Sequence, residues 1–238
     1  MIKLIRKLQK DNSTWSAQRI QGELKKLGYE VCDNTVAKYM IRSKGDDSKQ
    51  QRWLAFLRNH AKYIVGIDFL IARTIFFKSI HVFIAISHDR RRIIHYGVSS
   101  NPHSQWAIQQ LRETFAFDDT TQYVIRDNDA IFSKEFKETL KCFRLKDTPT
   151  APRRPWQNPI AERVMGTLRR ECLDHMIILN EKHLYDVLHE YICEYYNVSR
   201  THMSLHKDSP IHRPTQTNGK ITNKPILGGL HHVYSRVA

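Results

Sequence analysis

The chain has 238 residues, with 38 Lys and Arg against 24 Asp and Glu, a net charge of +14. That length holds one full domain and a small accessory one, and the basic balance points to a polyanion as partner, because neutralised phosphates release their counterions. No apolar run approaches membrane-spanning length, and four scattered cysteines without a C-x-x-C pair argue against a disulfide scaffold; free thiols in a reducing cytoplasm are expected.

Residues 1–62 hold 14 basic and 6 acidic side chains, so more than half of the net charge lies in the first quarter. There Ile2, Ile5 and Leu8 share a helical face. Ser13 or Thr14 is placed to cap a second helix with Ala17, Ile20, Leu24 and Leu27 inward, ended by Gly28. Asp33, Asn34 or Thr35 caps a third, with Val36, Tyr39 and Met40 inward and Lys38 and Arg42 outward. This is helix-turn-helix spacing over residues 1–42, the last helix being the candidate reader of the major groove; a helical hairpin used for protein contacts shares the pattern. From Arg42 to Arg52 no hydrophobic residue occurs, which predicts a flexible linker, and Trp53, Leu54 and Leu57 form a docking turn that completes residues 43–60.

Strands are expected from Tyr63, from Ile80 to Ile86 and from Ile93 to Val98, the last two joined by the polar run His88 to Arg92. Asn101-Pro102 is read as the cap and start of a helix carrying Ala107, Ile108, Leu111 and Phe115 on one face. A strand then ends at Asp127, a helix spans Ser133 to Lys141, and a short strand lies near Leu145. A helix begins at Asn158-Pro159, an N-cap followed by proline, and a last one runs from Glu181 to Asn197. Three strands, helix, strand, helix, strand, helices is an α/β order with a mixed sheet, over residues 61–212. Residues 213–238 form a basic tail without an acid, expected to be irregular in part and to follow DNA.

Three acids stand out. Asp68 interrupts the apolar run Ile64-Val65-Gly66-Ile67-Asp68-Phe69-Leu70, where an uncompensated carboxylate is strongly disfavoured. Asp127 follows Tyr123-Val124-Ile125-Arg126, and Glu162 comes 35 residues later, in the first turn after Asn158-Pro159. Singly, Asp127 could begin an ordinary turn and Glu162 could favour a helix N-terminus. Together they can converge on a divalent cation, and their oxygen donors suit Mg2+ or Mn2+. Two such ions can activate an attacking hydroxyl and stabilise a leaving oxygen. For zinc the candidates are His202 with His206 and His189 with Cys193; neither has a second pair, so they read as surface histidines and a core cysteine. Pro149, Pro152, Pro155 and Pro159 stiffen the loop before Glu162, where Arg153 and Arg154 either face phosphates or form a solvated basic loop. Glu162, Gly166, Arg169 and Arg170 share a helix face, and Gly166 either admits DNA or serves packing.

The segments IVGIDF, IRDNDAIF and PWQNPIAER resemble the acid triad of the integrase-type (DDE) transposase core of bacterial insertion sequences and retroviral integrases. The phrases TAPRRPWQNPIAERVMGTLRRECLDH and YNVSRTHMSLHKDSP are similar to the insertion-sequence branch, and the likeness runs from about Thr14 to Arg236. Asp129 competes for the second position, but the spacing of the family matches Asp127. The resemblance implies a ribonuclease-H-like fold behind a helix-turn-helix, and Asp68, Asp127 and Glu162 as catalytic ligands of two Mg2+ or Mn2+ ions. It further implies cleavage and strand transfer of double-stranded DNA, with water and then a 3′-hydroxyl as nucleophiles. A homo-oligomer on DNA at the bacterial nucleoid, in the cytoplasm, is part of the same expectation. A same-fold nuclease without strand transfer and a silent DNA-binding remnant are the alternatives. The family often carries more helical sequence ahead of the matched part, so a shortened product is expected, and the helix-turn-helix stands where retroviral integrases have a His/Cys zinc module.

Overall fold

The computed structural model describes residues 1–12, 15–40, 44–151 and 154–237. The chain divides into two compact units, Met1–Ala55 and Phe56–Ala238. The expected caps Ser13 and Thr14, and the expected DNA contacts Arg42 and Arg153, lie outside the described residues.

The first unit is helical. Helices α1 (Ile2–Asp11), α2 (Ala17–Lys26) and α3 (Asp33–Tyr39) close over Ile5, Ile20, Leu24 and Val36, all fully buried. Ile2 and Leu27, read as inward, are 40% and 52% exposed, because helices this short leave their outermost turns uncovered. Ser16 caps α2, its hydroxyl accepting the Arg19 N–H at 3.4 Å. Cys32 occupies the cap position of α3, while Asp33 is already helical and accepts the Asn34 N–H at 2.8 Å. Helix α4 (Lys44–His60) contains the boundary between the units. The stretch expected to be a flexible linker is therefore helical from Lys44 on. Gln50, Gln51 and Arg52 are good helix formers, so a polar run need not be an irregular one.

In the second unit a five-stranded sheet has the order β3-β2-β1-β4-β5. Its strands are β1 (Ile64–Arg73), β2 (Ser79–Ser87), β3 (Ile93–Ser99), β4 (Tyr123–Arg126) and β5 (Lys146–Pro149). The first three pair antiparallel, while β4 and β5 continue the sheet parallel to β1. Helices α5 (Ser104–Phe115) and α6 (Lys134–Cys142) cover one face; α7 (Pro159–Glu171) and α8 (Glu181–His189) cover the other. This mixed sheet between helical layers is the ribonuclease-H-like architecture. Alternation along the strands divides the core: Val65, Ile67 and Phe83 face α5 and α6, whereas Leu70, Ala72, Val82 and Ile84 face α7 and α8.

Three elements differ from expectation. Helix α5 starts after His103 rather than at Asn101-Pro102, and the Ser100 and Asn101 N–H groups donate instead to Glu181 and Ser99. Beyond α8 the chain continues as a π-helical segment, Glu190–Tyr196, and Tyr191, Ile192 and Tyr196 are all buried there. The tail read as partly irregular forms a hairpin, β6 (Lys220–Ile226) and β7 (His231–Val237), turned through Gly228 and Gly229 at φ +64° and +97°. Most of its side chains are exposed, so no apolar alternation announces it. Ile226, Leu227, Leu230 and Val233 fasten it to the α7–α8 core.

The parallel strands are tied by one buried cation. Arg126 is 1% exposed, and its Nε and Nη2 donate to Asp147 Oδ1 and Oδ2 at 2.9 and 2.6 Å. The same guanidinium lies 4.8 Å over the Phe132 ring. Breaking this pair from the acid side strands the cation, so Asp147→Ala is expected to lower the unfolding free energy by about 3–5 kcal/mol, read from the urea midpoint. A loss under about 1 kcal/mol would mean that the pair contributes little.

Candidate active site

The period of two along a strand decides where Asp68 goes. Gly66, Asp68, Leu70 and Ala72 share one side of β1, and Leu70 and Ala72 pack towards α7 and α8. Asp68 therefore lies on the α7 side, while Phe69 points the other way, 5.5 and 5.6 Å from the Phe83 and Phe132 rings. The parallel register pairs Gly66 with Ile125, so Asp127, one residue beyond β4, follows on the same side. Glu162 stands in the first turn of α7. A central strand, the end of its parallel neighbour and the start of one helix thus carry the three acids read from the sequence, near enough for the charges of Asp127 and Glu162 to act on Asp68. Asp127 and Glu162 are exposed, and Asp68 is half-buried.

Electrostatics records the clustering. The Asp68 carboxyl is raised from 3.8 to about 7, by burial first and by the charges of Asp127 and Glu162, against the Phe69 N–H that donates to it at 2.8 Å. Asp127 is raised as well, by desolvation first and by Asp129 beside it. The Asp129 N–H donates to Asp127 Oδ1 at 3.3 Å, and Asp129 spends its own carboxylate on the Ile131 N–H at 2.9 Å. Among the described residues no three His, Cys, Asp or Glu side chains are close enough to hold a metal ion. The donor set is nevertheless chemically suited to one: all oxygen, and carrying repulsion that a divalent cation would relieve.

Two supports went unread in the sequence. Asn158 precedes α7 but does not cap it through its side chain; its Nδ2 donates instead to the Ile67 carbonyl at 3.3 Å, tying the helix that carries Glu162 to the strand that carries Asp68. Gly66 makes this approach possible, because a β-carbon there would sit 2.9 Å from both Asn158 Oδ1 and His88 Nε2. The glycine within an apolar strand was the available signal. His88 is 3% exposed, and burial first, with the charge of Arg91, lowers its pKa to about 4, so it is neutral at pH 7. Among the described residues its two ring nitrogens and Asn158 Oδ1 have no hydrogen-bond partner. The second support is Arg126, whose Nη1 donates to the Asp127 carbonyl at 2.8 Å.

The expected phosphate contacts are dispersed. Lys38 is exposed on α3, Arg169 and Arg170 are exposed at the end of α7, and Arg154 lies 5.8 Å over the Trp156 ring. A β-carbon on Gly166 would meet Arg170 Nη1 at 3.0 Å, so this glycine makes room for the guanidinium. The zinc candidates are corrected in two places: His202 is buried, and Cys193 is exposed, its Sγ 3.8 Å from His189 Nδ1.

The Asp68 shift has a defined sign. A carboxyl bound near 7 in the fold but near 3.8 when unfolded opposes folding progressively from about pH 4 to pH 7, and fully above that. Asp68→Asn is expected to stabilise the metal-free protein at pH 8, on the order of 3 kcal/mol, and hardly at pH 4. Equal effects at both pH values in thermal melts would contradict this.

The integrase core domain family matches residues 144–210, a segment that includes Glu162 but neither aspartate. No curated protein sequence matches the chain significantly. Among solved structures, the catalytic domain of Mos1 mariner transposase superposes with a TM-score of 0.53 at 12% identity, covering 65% of this chain and 84% of that one. The Mos1 catalytic domain with raltegravir and Mg gives 0.53 and 12%, covering 65% and 85%. A chain of the simian T-cell lymphotropic virus intasome in complex with PP2A regulatory subunit B56 gamma gives 0.49 and 17%, covering 74% of this chain and 66% of that one. Among the described residues no helix is long and apolar enough to cross a membrane. The second unit, with its mixed sheet and its matched segment, carries the catalytic-core fold of integrases and transposases.

Proposed function

We propose that the protein is a DNA transposase or integrase that cleaves and joins strands at Asp68, Asp127 and Glu162. The observation that carries this is the placement of Asp68 on β1, Asp127 one residue past the parallel strand β4 and Glu162 in the first turn of α7, within the catalytic-core fold. The three carboxylates would hold one or two Mg2+ or Mn2+ ions, which when bound supply Lewis-acid activation of the attacking hydroxyl and the leaving oxygen. That Mos1 structures contain Mg or Mn supports the same use of metal here.

The chain's own residues do the positioning. Strand β1, paired with β2 at Ile84, holds Asp68; Arg126 holds the carbonyl of Asp127; Asn158 holds the start of the helix bearing Glu162. Arg154, Arg169 and Arg170 are basic groups for phosphates, and residues 1–42, with exposed Lys38, are the part that grips duplex DNA. Residues 61–212 supply the chemistry. Water would attack first and a freed 3′-hydroxyl second. Joining paired element ends calls for at least two copies of the chain, acting on the DNA of a bacterial nucleoid.

The test is a gel assay with end-sequence duplexes, supercoiled plasmid and Mg2+ or Mn2+. Wild type should nick and join, and Asp68→Asn, Asp127→Asn and Glu162→Gln should each lose about 100-fold or more, since several kcal/mol of charge stabilisation goes with them. Full activity in any of the three folded variants removes that residue from the site. Nicking without joining would instead identify a nuclease of the same fold.

A further inference from the structure

A second basic site lies on another side of α7. A cavity of about 480 Å³ opens between α7, the β2–β3 hairpin and the segment after the π-helix; Arg91, Arg163, Arg200, His202, Thr167 and Thr201 are among its lining residues, and no acid lines it. Arg200 is held in place by Glu171, through Nε at 2.6 Å and Nη2 at 2.5 Å. Arg91 and Arg163 have no such partner: among the described residues neither is in an ion pair, yet each lies within reach of the other's charge. With Arg91 half-buried and Arg163 exposed, both lining one cavity without an acid, the cavity is positive and suits an anion.

The walls are built rather than incidental. Arg90 fixes the hairpin by donating to Asp208 Oδ2 at 2.6 Å and to the Ser209 and Pro210 carbonyls, each at 2.7 Å. Asn197 pairs with the backbone of Ile93, donating to its carbonyl at 2.9 Å and accepting its N–H at 3.1 Å. Arg91 itself has a left-handed backbone, φ +58°, and its carbonyl accepts the Tyr196 hydroxyl at 3.2 Å. His202, also in the wall, is kept neutral by burial and by Arg200 and Arg91, its pKa lowered to about 4, so the positive charge of the cavity is that of the arginines.

We propose that Arg91 and Arg163 together bind one phosphodiester group of a nucleic-acid strand in this cavity. The inference rests on the DNA-processing reading above and adds a contact point to it. Because Arg163 follows Glu162, and successive helical residues point about 100° apart, the phosphate held here is not the one at the carboxylates. It belongs to a neighbouring part of the strand and sets where the reacting bond lies. A guanidinium pair suits a phosphodiester in shape as well as charge.

The full chain is titrated with a short labelled duplex at several salt concentrations, as wild type, Arg91→Gln, Arg163→Gln, the double variant, and Arg112→Gln as an exposed control of equal charge change. Each cavity variant should bind about tenfold more weakly, and its log affinity against log salt should flatten by about one. The double variant should lose hardly more than either single, because both arginines share one phosphate. Arg112→Gln should match wild type, and melting temperatures should stay unchanged, which separates lost binding from lost fold. Unchanged affinity and slope in both single variants would overturn the proposal. So would additive losses, which place the arginines on different phosphates. A parallel melt with inorganic phosphate separates the sources. Stabilisation of wild type but not of the variants, without any effect on DNA binding, would mean that the site takes a free phosphate and would overturn the nucleic-acid assignment. If wild type proves unable to cut DNA while the arginine variants still weaken binding, the cavity stands and the catalytic reading falls; the converse leaves the chemistry and removes the cavity.

Discussion

A carboxylate on a half-buried strand cannot be left alone, and much of the second unit can be understood as an arrangement around that constraint. Asp68 has lost much of its water and faces two further acids, so the metal-free site is electrostatically unfavourable. A fold tolerates such a site only where the surroundings over-determine it. Here β1 is paired with β2 through Asp68 and with β4 up to Gly66, Phe69 is pinned among aromatic rings on the opposite face, and α7 is tied down beside Ile67 by Asn158. The repulsion is the counterpart of affinity: the charge that opposes folding without metal is the charge that would attract a divalent ion.

Rigidity is supplied by polar groups that sequence reading passes over. Arg126 bridges two strands and the backbone of Asp127, so the geometry at the second acid depends on a cation hidden in the core. Arg90 and Asn197 do the same for the hairpin that presents Arg91. In both cases a buried or half-buried hydrogen-bonding side chain fixes a backbone that then aims an ionisable group.

How much could be read in advance follows from what periodicity can encode. Strand runs with β-branched residues announced β1, β2, β3 and β4, and the carboxylate inside IVGIDF announced Asp68. That Asp68 and Asp127 lie on one side of the sheet follows only from the β1–β4 register, which no periodicity encodes. Pairings between distant residues left no such trace: Asp147 lies in a short, polar strand, and nothing in its neighbours names Arg126 as its partner. Asn158 was read through a local rule, as a helix cap, whereas tertiary contact redirected its side chain to Ile67. The hairpin β6–β7 was missed because it exposes most of both faces, and the helical stretch after Lys44 because a polar composition was taken for an irregular one.

The most direct test of this account is the titration of the Asp68 carboxyl carbon by NMR, in wild type, Asp127→Asn and Glu162→Gln, each with and without Mg2+. The account predicts a midpoint near 7 in the metal-free wild type. Either neutralising substitution should lower it without restoring the ordinary value, because burial is the larger cause, and Mg2+ should lower it in wild type. An Asp68 that titrates near 4 in every form, indifferent to both neighbours and to the ion, would show that the three acids do not act as one site.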